Sequence, residues 1–234
     1  IKSTIFITSD KCYESNNSTV GFKENDKLGG IDPYSGSKAC AEIIVNTYYQ
    51  SFFKDKVKTG IATARAGNVI GGGDWSKDRL IPDSIKFLNK KKTIIIRNPN
   101  FNRPWQHVLE PLYGYLILAL RLYKQPKKYS GAWNFGTERN TITSVEQIIN
   151  KIISNWGEGK YKKTNNKKFY EQTNLQLNIT KAKKKLKWKP KLSIDDCISI
   201  TVDWYRKVLT NRKTVQQITT SQIINYNKKK DKKK

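Results

Sequence analysis

Two side chains near the start of the chain can work as one chemical device. Tyr34 and Lys38 stand four residues apart in Asp32-Pro33-Tyr34-Ser35-Gly36-Ser37-Lys38. Pro33 suits the first position of a helix, where its missing N–H costs nothing. On a helix, a spacing of four puts both side chains on one face, one turn apart. An ammonium beside a phenol favours the phenolate, so such a tyrosine can act as a base. The same residues also fit a plain helix start with an exposed Tyr and an exposed Lys, and spacing alone does not separate the two readings.

The elements around the pair must position it. Thr4 to Thr8 is a short β-rich run ending in Ser9-Asp10-Lys11-Cys12-Tyr13. Polar groups at the carboxyl end of a strand in an open α/β sheet face the ligand crevice. A polar loop over 14–32 leads to a helix from about Pro33 to Phe53, with Ala39, Ile43, Ile44, Thr47 and Tyr48 as its apolar stripe. Gly60-Ile61-Ala62-Thr63-Ala64 is a second buried strand, running into Arg65-Ala66-Gly67-Asn68. Strand, helix, strand in this order is half of a doubly wound sheet. The run Gly71-Gly72-Gly73 lacks the spacing of a phosphate loop and reads as a flexible loop that lets backbone approach a ligand.

Further on, the pattern predicts a helix near Ile81 to Leu88, a strand over Thr93 to Arg97 and an extended Gln106-His107-Val108. A helix over Glu110 to Tyr123 and a strand Ala132 to Phe135 follow. Ser144 with Gln147, and Ser193 with Asp196, are capping boxes opening helices to about Asn155 and Leu209. Residues 157–172 read as a mobile connection, Leu175 to Leu177 as a short strand, and Thr180 as the start of a basic helix. The Lys-rich tail from Tyr226 reads as disordered. His107, the one histidine, reads as a hydrogen-bonded structural group beside Trp105. Trp133, Trp156, Trp188 and Trp204 are assigned to packing.

Composition narrows the classes. The 234 residues carry 45 Lys and Arg against 19 Asp and Glu, a net charge of +26. The excess is mostly Lys, spread over the whole chain in step with abundant Asn and Ile. That distribution describes a solvated surface rather than a basic patch and predicts no nucleic-acid partner; only the net charge argues for one. The absence of a membrane-spanning apolar run predicts no membrane partner. Three scattered cysteines show no metal spacing and predict reduced thiols in a cytoplasm. The chain holds no Met and opens in what reads as the middle of a buried strand, which predicts that a preceding part belongs to the complete protein.

With Ser9, Tyr34 and Lys38 in place, the chain resembles the extended short-chain dehydrogenase/reductases. Thr8 to Tyr13, Asp32 to Ser35, Ala64 to Trp75, Arg97-Asn98-Pro99 and Arg103 to Leu112 resemble the CDP-glucose 4,6-dehydratases. The likeness runs from Ile1 to about Leu209. It implies an α/β fold: the C-terminal portion of a Rossmann-like doubly wound parallel sheet plus a smaller α/β substrate-binding domain. In that division, 1–75 is the remaining half of the dinucleotide-binding domain and 76–210 is mainly the nucleotide-sugar domain, with segments returning to the sheet. Residues 211–234 are a C-terminal helix and tail.

The resemblance also implies roles. Tyr34 takes the proton of the sugar 4-hydroxyl, Ser9 bonds the same oxygen, and Lys38 supports Tyr34. Asp10 matches the acid that protonates the leaving 6-hydroxyl. Lys11 stands where related enzymes carry Glu and becomes the base for the C5 proton, a role that requires desolvation or a neighbouring charge. NAD contacts fall to Thr8, Tyr34, Lys38 and Ala66, and nucleotide-sugar contacts to Asn68, Arg79, Leu80, Arg97 and Arg103. Arg103 is chosen for the diphosphate because Arg grips phosphate with two N–H groups. Arg97 is a second donor or a strand cap. CDP-glucose is the implied substrate and a homodimer the implied assembly. A nucleotide-sugar 4-epimerase, which needs Tyr34 and Lys38 but not Asp10 and Lys11, and a non-catalytic remnant without the cofactor's glycine turn remain the alternatives.

Overall fold

A computed structural model describes residues 1–14, 21–55, 58–138, 143–164, 176–210 and 214–229. The strands in chain order are β1 (Ser3–Ile7), β2 (Gly60–Ala66), β3 (Val69–Ile70), β4 (Ile94–Ile96), β5 (Asn102–Arg103), β6 (Gln106–His107), β7 (Gly131–Phe135), β8 (Thr143–Ser144) and β9 (Tyr161–Lys163). The helices are α1 (Pro33–Tyr48), α2 (Leu80–Asn89), α3 (Leu109–Lys124), α4 (Pro126–Tyr129), α5 (Val145–Trp156), α6 (Ile194–Leu209) and α7 (Val215–Lys228). A 3-10 turn, Asp10–Cys12, follows β1, and π turns occupy Tyr49–Phe53 and Ala182–Leu186.

The chain divides into two compact units that interleave along the sequence. The first comprises Ile1–Gly67, Glu110–Asn140 and Asn174–Pro190. Its sheet has the order β1-β2-β7, with both pairings parallel. Side chains alternate across a strand, and β2 shows the consequence. Ala62 and Ala64 pack with Leu118 and Leu122 of α3, while Thr63 and Arg65 face Glu42 of α1. The two helices therefore cover opposite faces. Trp133, Phe135 and Trp188 complete the core on the α3 side. Burial of such side chains is worth about 1.5–3 kcal/mol each, which makes this face the stable anchor of the sheet.

Of the expected apolar stripe of α1, Ala39 is buried but most of the rest is not. Ser35, Ala39 and Glu42 point inward, whereas Ile43, Ile44 and Tyr48 are more than half exposed. The inward Glu42 pairs with Arg65 of β2, and both side chains are buried.

The second unit comprises Asn68–Leu109, Thr141–Thr173 and Lys191–Lys234. Ile81, Ile85 and Leu88 of α2, Ile148, Ile149 and Ile152 of α5, and Ile198 and Val202 of α6 form one core with Ile94 and Ile96 of β4. Both capping boxes are present, at Ser144 with Gln147 and at Ser193 with Asp196. Part of the expected mobile connection is ordered, because β9 pairs in parallel with β4; 165–172 lie outside the described residues. The tail is likewise helical at Tyr226, which is buried within α7, and 230–234 lie outside the described residues. Leu177 bridges Phe22 within the first unit, while Leu175 is outside the described residues. Among the described residues no helix is long and apolar enough to cross a membrane, and no cluster of His, Cys, Asp and Glu has the arrangement of a metal site.

Candidate active site

In the first unit, β1 ends at Ile7 and the chain enters the Asp10–Cys12 turn. Ser9 caps this turn: its Oγ accepts from Lys11 N at 3.2 Å and donates to Asp10 Oδ1 at 3.0 Å. Ser9 and Asp10 are buried, whereas Lys11 is exposed. The burial that its expected role as a base requires is not supplied by this unit. Asp10 packs directly on Gly67. A Cβ at position 67 would lie 1.7 Å from Asp10 Oδ2, so only glycine admits the carboxylate there.

Helix α1 packs against this turn. Asp32 caps it, accepting from Ser35 N at 3.0 Å and from Ser35 Oγ at 2.6 Å. These bonds hold the Asp32 carboxyl below its ordinary range. Pro33 takes the first helical position, as the sequence predicts. Tyr34 is 53% exposed, and Lys38 Nζ lies 5.5 Å from the centre of its ring. The spacing of four therefore brings the phenol and the ammonium together beside a buried serine and carboxylate. That donor set suits a sugar or ribose hydroxyl at the carboxyl end of parallel strands. Thr8, expected among the cofactor contacts, donates its hydroxyl to Glu42 Oε1 at 2.5 Å. The side chain points into the unit because Glu42 is the nearest strong acceptor.

Beneath the turn lies a polar network that the sequence reading missed. Arg65 Nη2 donates to Glu42 Oε2 at 2.7 Å, with both side chains only 3% exposed. Arg65 Nη1 donates to Tyr13 Oη at 2.6 Å and to Glu24 O at 3.0 Å. Tyr13 Oη in turn donates to Asn134 Oδ1 at 2.7 Å. Thr63 adds a bond to Glu42 Oε2 at 2.6 Å. Burial raises the Glu42 carboxyl, but Arg65, Thr63 and Thr8 outweigh it and keep the group below its ordinary range. Burial pushes the neighbouring Cys12 thiol up to about 12. One signal was available: Arg65 is a lone charge at the end of an apolar strand, and Glu42 continues the row of Tyr34 and Lys38.

In the second unit, Asn68, Arg79, Leu80, Arg97 and Arg103 all line one cavity of about 780 Å³. That size falls within the range of small-ligand sites. Phe87, Phe101 and Trp105 supply its apolar wall. The indole Nε1 of Trp105 is buried without a hydrogen-bond partner among the described residues. Asn68 sits at φ 49°, a left-handed conformation that Asn tolerates better than most residues. Arg79 and Arg97 are largely exposed and lie near Asp74 and Asp78 respectively. The guanidinium of Arg103 stacks over Phe101, 5.6 Å from the ring centre.

Packing bears on two further expectations in this unit. His107 is buried, and burial brings its imidazole down to about 4. Its Nδ1 accepts from Leu109 N at 3.3 Å, so it is a neutral structural group. The triple glycine brings backbone close to a side chain at Gly72. A Cβ at Gly72 would lie 2.1 Å from the Trp204 indole. The Trp residues assigned to packing are indeed in or against the cores.

The first unit has a parallel sheet with Ser9 just past the carboxyl end of β1 and with Tyr34 and Lys38 on α1, and the second has an arginine-lined cavity; together these features define a known class. Residues 2–201 match the family described as GDP-mannose 4,6 dehydratase, and the chain belongs to that family. More particularly, it is 42% identical over 211 residues to the CDP-glucose 4,6-dehydratase of Salmonella typhimurium, covering 88% of this chain and 59% of that protein. A dTDP-glucose 4,6-dehydratase from Bacillus anthracis, solved in complex with NAD, superposes with a TM-score of 0.73 at 22% identity, covering 87% of this chain and 61% of that one. A UDP-glucuronic acid 4-epimerase from Bacillus cereus gives 0.74 at 18% identity, covering 88% and 62%. At these identities the structural likeness speaks for the Rossmann-type fold alone. The chain spans about three fifths of the length of these relatives.

Proposed function

We propose that the complete protein is an NAD-dependent lyase that converts CDP-glucose to CDP-4-keto-6-deoxyglucose. The observation that carries this reading is the meeting of the Ser9–Asp10 turn with the Tyr34 and Lys38 end of α1. A 4-epimerase has no use for an acid beside the serine, and the identity to a CDP-glucose dehydratase points the same way.

In this reading Tyr34 takes the proton of the 4-hydroxyl, Ser9 orients that oxygen, and Lys38 supplies the positive charge beside the phenol. Tyr34 and Lys38 would hold the nicotinamide ribose, with Ala66 leaving room and Thr8 contributing backbone. NAD+, when bound, supplies the acceptor for hydride from C4 and the donor that returns it to C6. Asp10 protonates the departing 6-hydroxyl. Lys11 takes the C5 proton and returns a proton to C5 when hydride adds at C6; its desolvation must come from substrate or from parts of the protein beyond the described residues. In the second unit Arg103, with Arg97 and Asn68, neutralises the diphosphate, and Arg79 and Leu80 face the nucleoside; the open N-terminus of α2 at Leu80 favours the same anion.

We also infer a homodimer built on the outward row of α1, since Ile43, Ile44 and Tyr48 form an exposed apolar surface. The test of the reaction is the mass of the product formed from CDP-glucose and NAD+ by the full-length gene product. Loss of one water is the expected result. An unchanged mass with inverted C4, or no reaction, overturns the dehydratase reading.

A further inference from the structure

The buried pair Arg65–Glu42 takes no part in the chemistry proposed above, yet every element carrying that chemistry is tied to it. Glu42 lies one helical turn beyond Lys38 and two beyond Tyr34. Its Oε1 receives the hydroxyl of Thr8, the residue just before Ser9, and its Oε2 receives Arg65 and Thr63. The other arm of Arg65 reaches Tyr13, the residue that closes the turn. Tyr13 is itself fixed by Asn134 and by stacking on Phe22 at 4.8 Å.

We infer that Arg65 and Glu42 are positioning residues that set the Ser9-Asp10-Lys11 turn in register with the Tyr34 and Lys38 end of α1. The inference rests on the dehydratase reading for what the positioned groups do. Its physical basis is directionality. An apolar contact at position 42 would bury the helix as well, but burial is nondirectional. A charged, hydrogen-bonded fork specifies one rotation and one height of the helix. Stability is a poor explanation for the pair, because apolar replacements of a buried ion pair are often neutral or stabilising. Arginine suits the task because its two terminal nitrogens serve two elements, α1 through Glu42 and the turn through Tyr13. A lysine presents one point charge and cannot reach both.

The test uses the full-length protein with CDP-glucose and NAD+, and two variants. The double variant Glu42→Leu with Arg65→Met removes the fork without leaving a charge. Arg65→Lys keeps the charge opposite Glu42 and loses the second arm. Both are expected to melt near the unmodified protein, to lose about a hundredfold in kcat and to keep KM within about threefold, because no nucleotide contact is touched. Amide hydrogen exchange over residues 8–13 should quicken, while β2 and α3 stay unchanged. Full kcat in the double variant, or rescue by Arg65→Lys, overturns the inference. Should the double variant not fold, Arg65→Lys decides by the same two readouts. If the unmodified protein leaves CDP-glucose untouched, the dehydratase reading fails on its own. The exchange rates then decide the register role: unchanged rates over 8–13 overturn it.

Discussion

Asp10 and Gly67 show how tightly single atoms are held at this site. A methyl group added at position 67 would overlap the Asp10 carboxylate, so Gly67→Ala must push the proposed acid out of place. We expect kcat to fall about a hundredfold with CDP-glucose affinity retained; full activity in this variant would remove Asp10 from the reaction. His107 makes a second prediction of this scale. Its imidazole titrates at about 4 in the fold, against an ordinary 6.5, because it is buried. The unfolded chain therefore binds the proton first as pH falls. Stability is intact above about 6.5 and drains away between there and about 4, by as much as about 3 kcal/mol. Urea unfolding at neutral pH and near pH 4.5 measures this slope, and His107→Gln should flatten it. An equal slope in the variant would assign the loss to carboxylates instead.

Among elements, the loop after β3 depends on the closeness of backbone to an indole. Gly72 carries no side chain where Trp204 of α6 lies against it. Gly72→Ala should destabilise the second unit by about 1–3 kcal/mol through overpacking, read from the unfolding midpoint by tryptophan fluorescence. No loss would mean that the loop yields freely. Helix α1 illustrates the opposite case, in which a polar contact outranks a hydrophobic pattern. Ile43, Ile44 and Tyr48 of its apolar row face outward while Glu42 is paired with Arg65 inside.

At the scale of the whole molecule, that outward row is the surface on which the proposed dimer rests. Ile44→Glu should shift the full-length protein from dimer to monomer in light scattering, leaving the melting temperature of each protomer nearly unchanged. A monomer before the substitution, or a dimer after it, would place assembly elsewhere. The net charge of +26 comes mostly from lysines distributed along the whole chain.

Local sequence alone determined much of this protein. Asp32 and Pro33 announce a helix start, and the spacing of Tyr34 and Lys38 suffices to bring phenol and ammonium together. The capping boxes at Ser144 and Ser193 were readable for the same reason: their partners lie three residues away, within one turn. The motif likeness also named the residues that line the cavity of the second unit. What the sequence could not decide was which face of α1 is buried, where the triple glycine makes its close approach, and how the Asp10 turn is tied down. Each of these depends on residues far apart in the chain: Glu42 with Arg65, Gly72 with Trp204, and Tyr13 with Asn134. A periodic pattern reports the average preference of a helix for apolar burial. A buried charge pair is visible only once strand and helix have met, because a charge is tolerated in the interior only beside a partner, and that partner lies on another element.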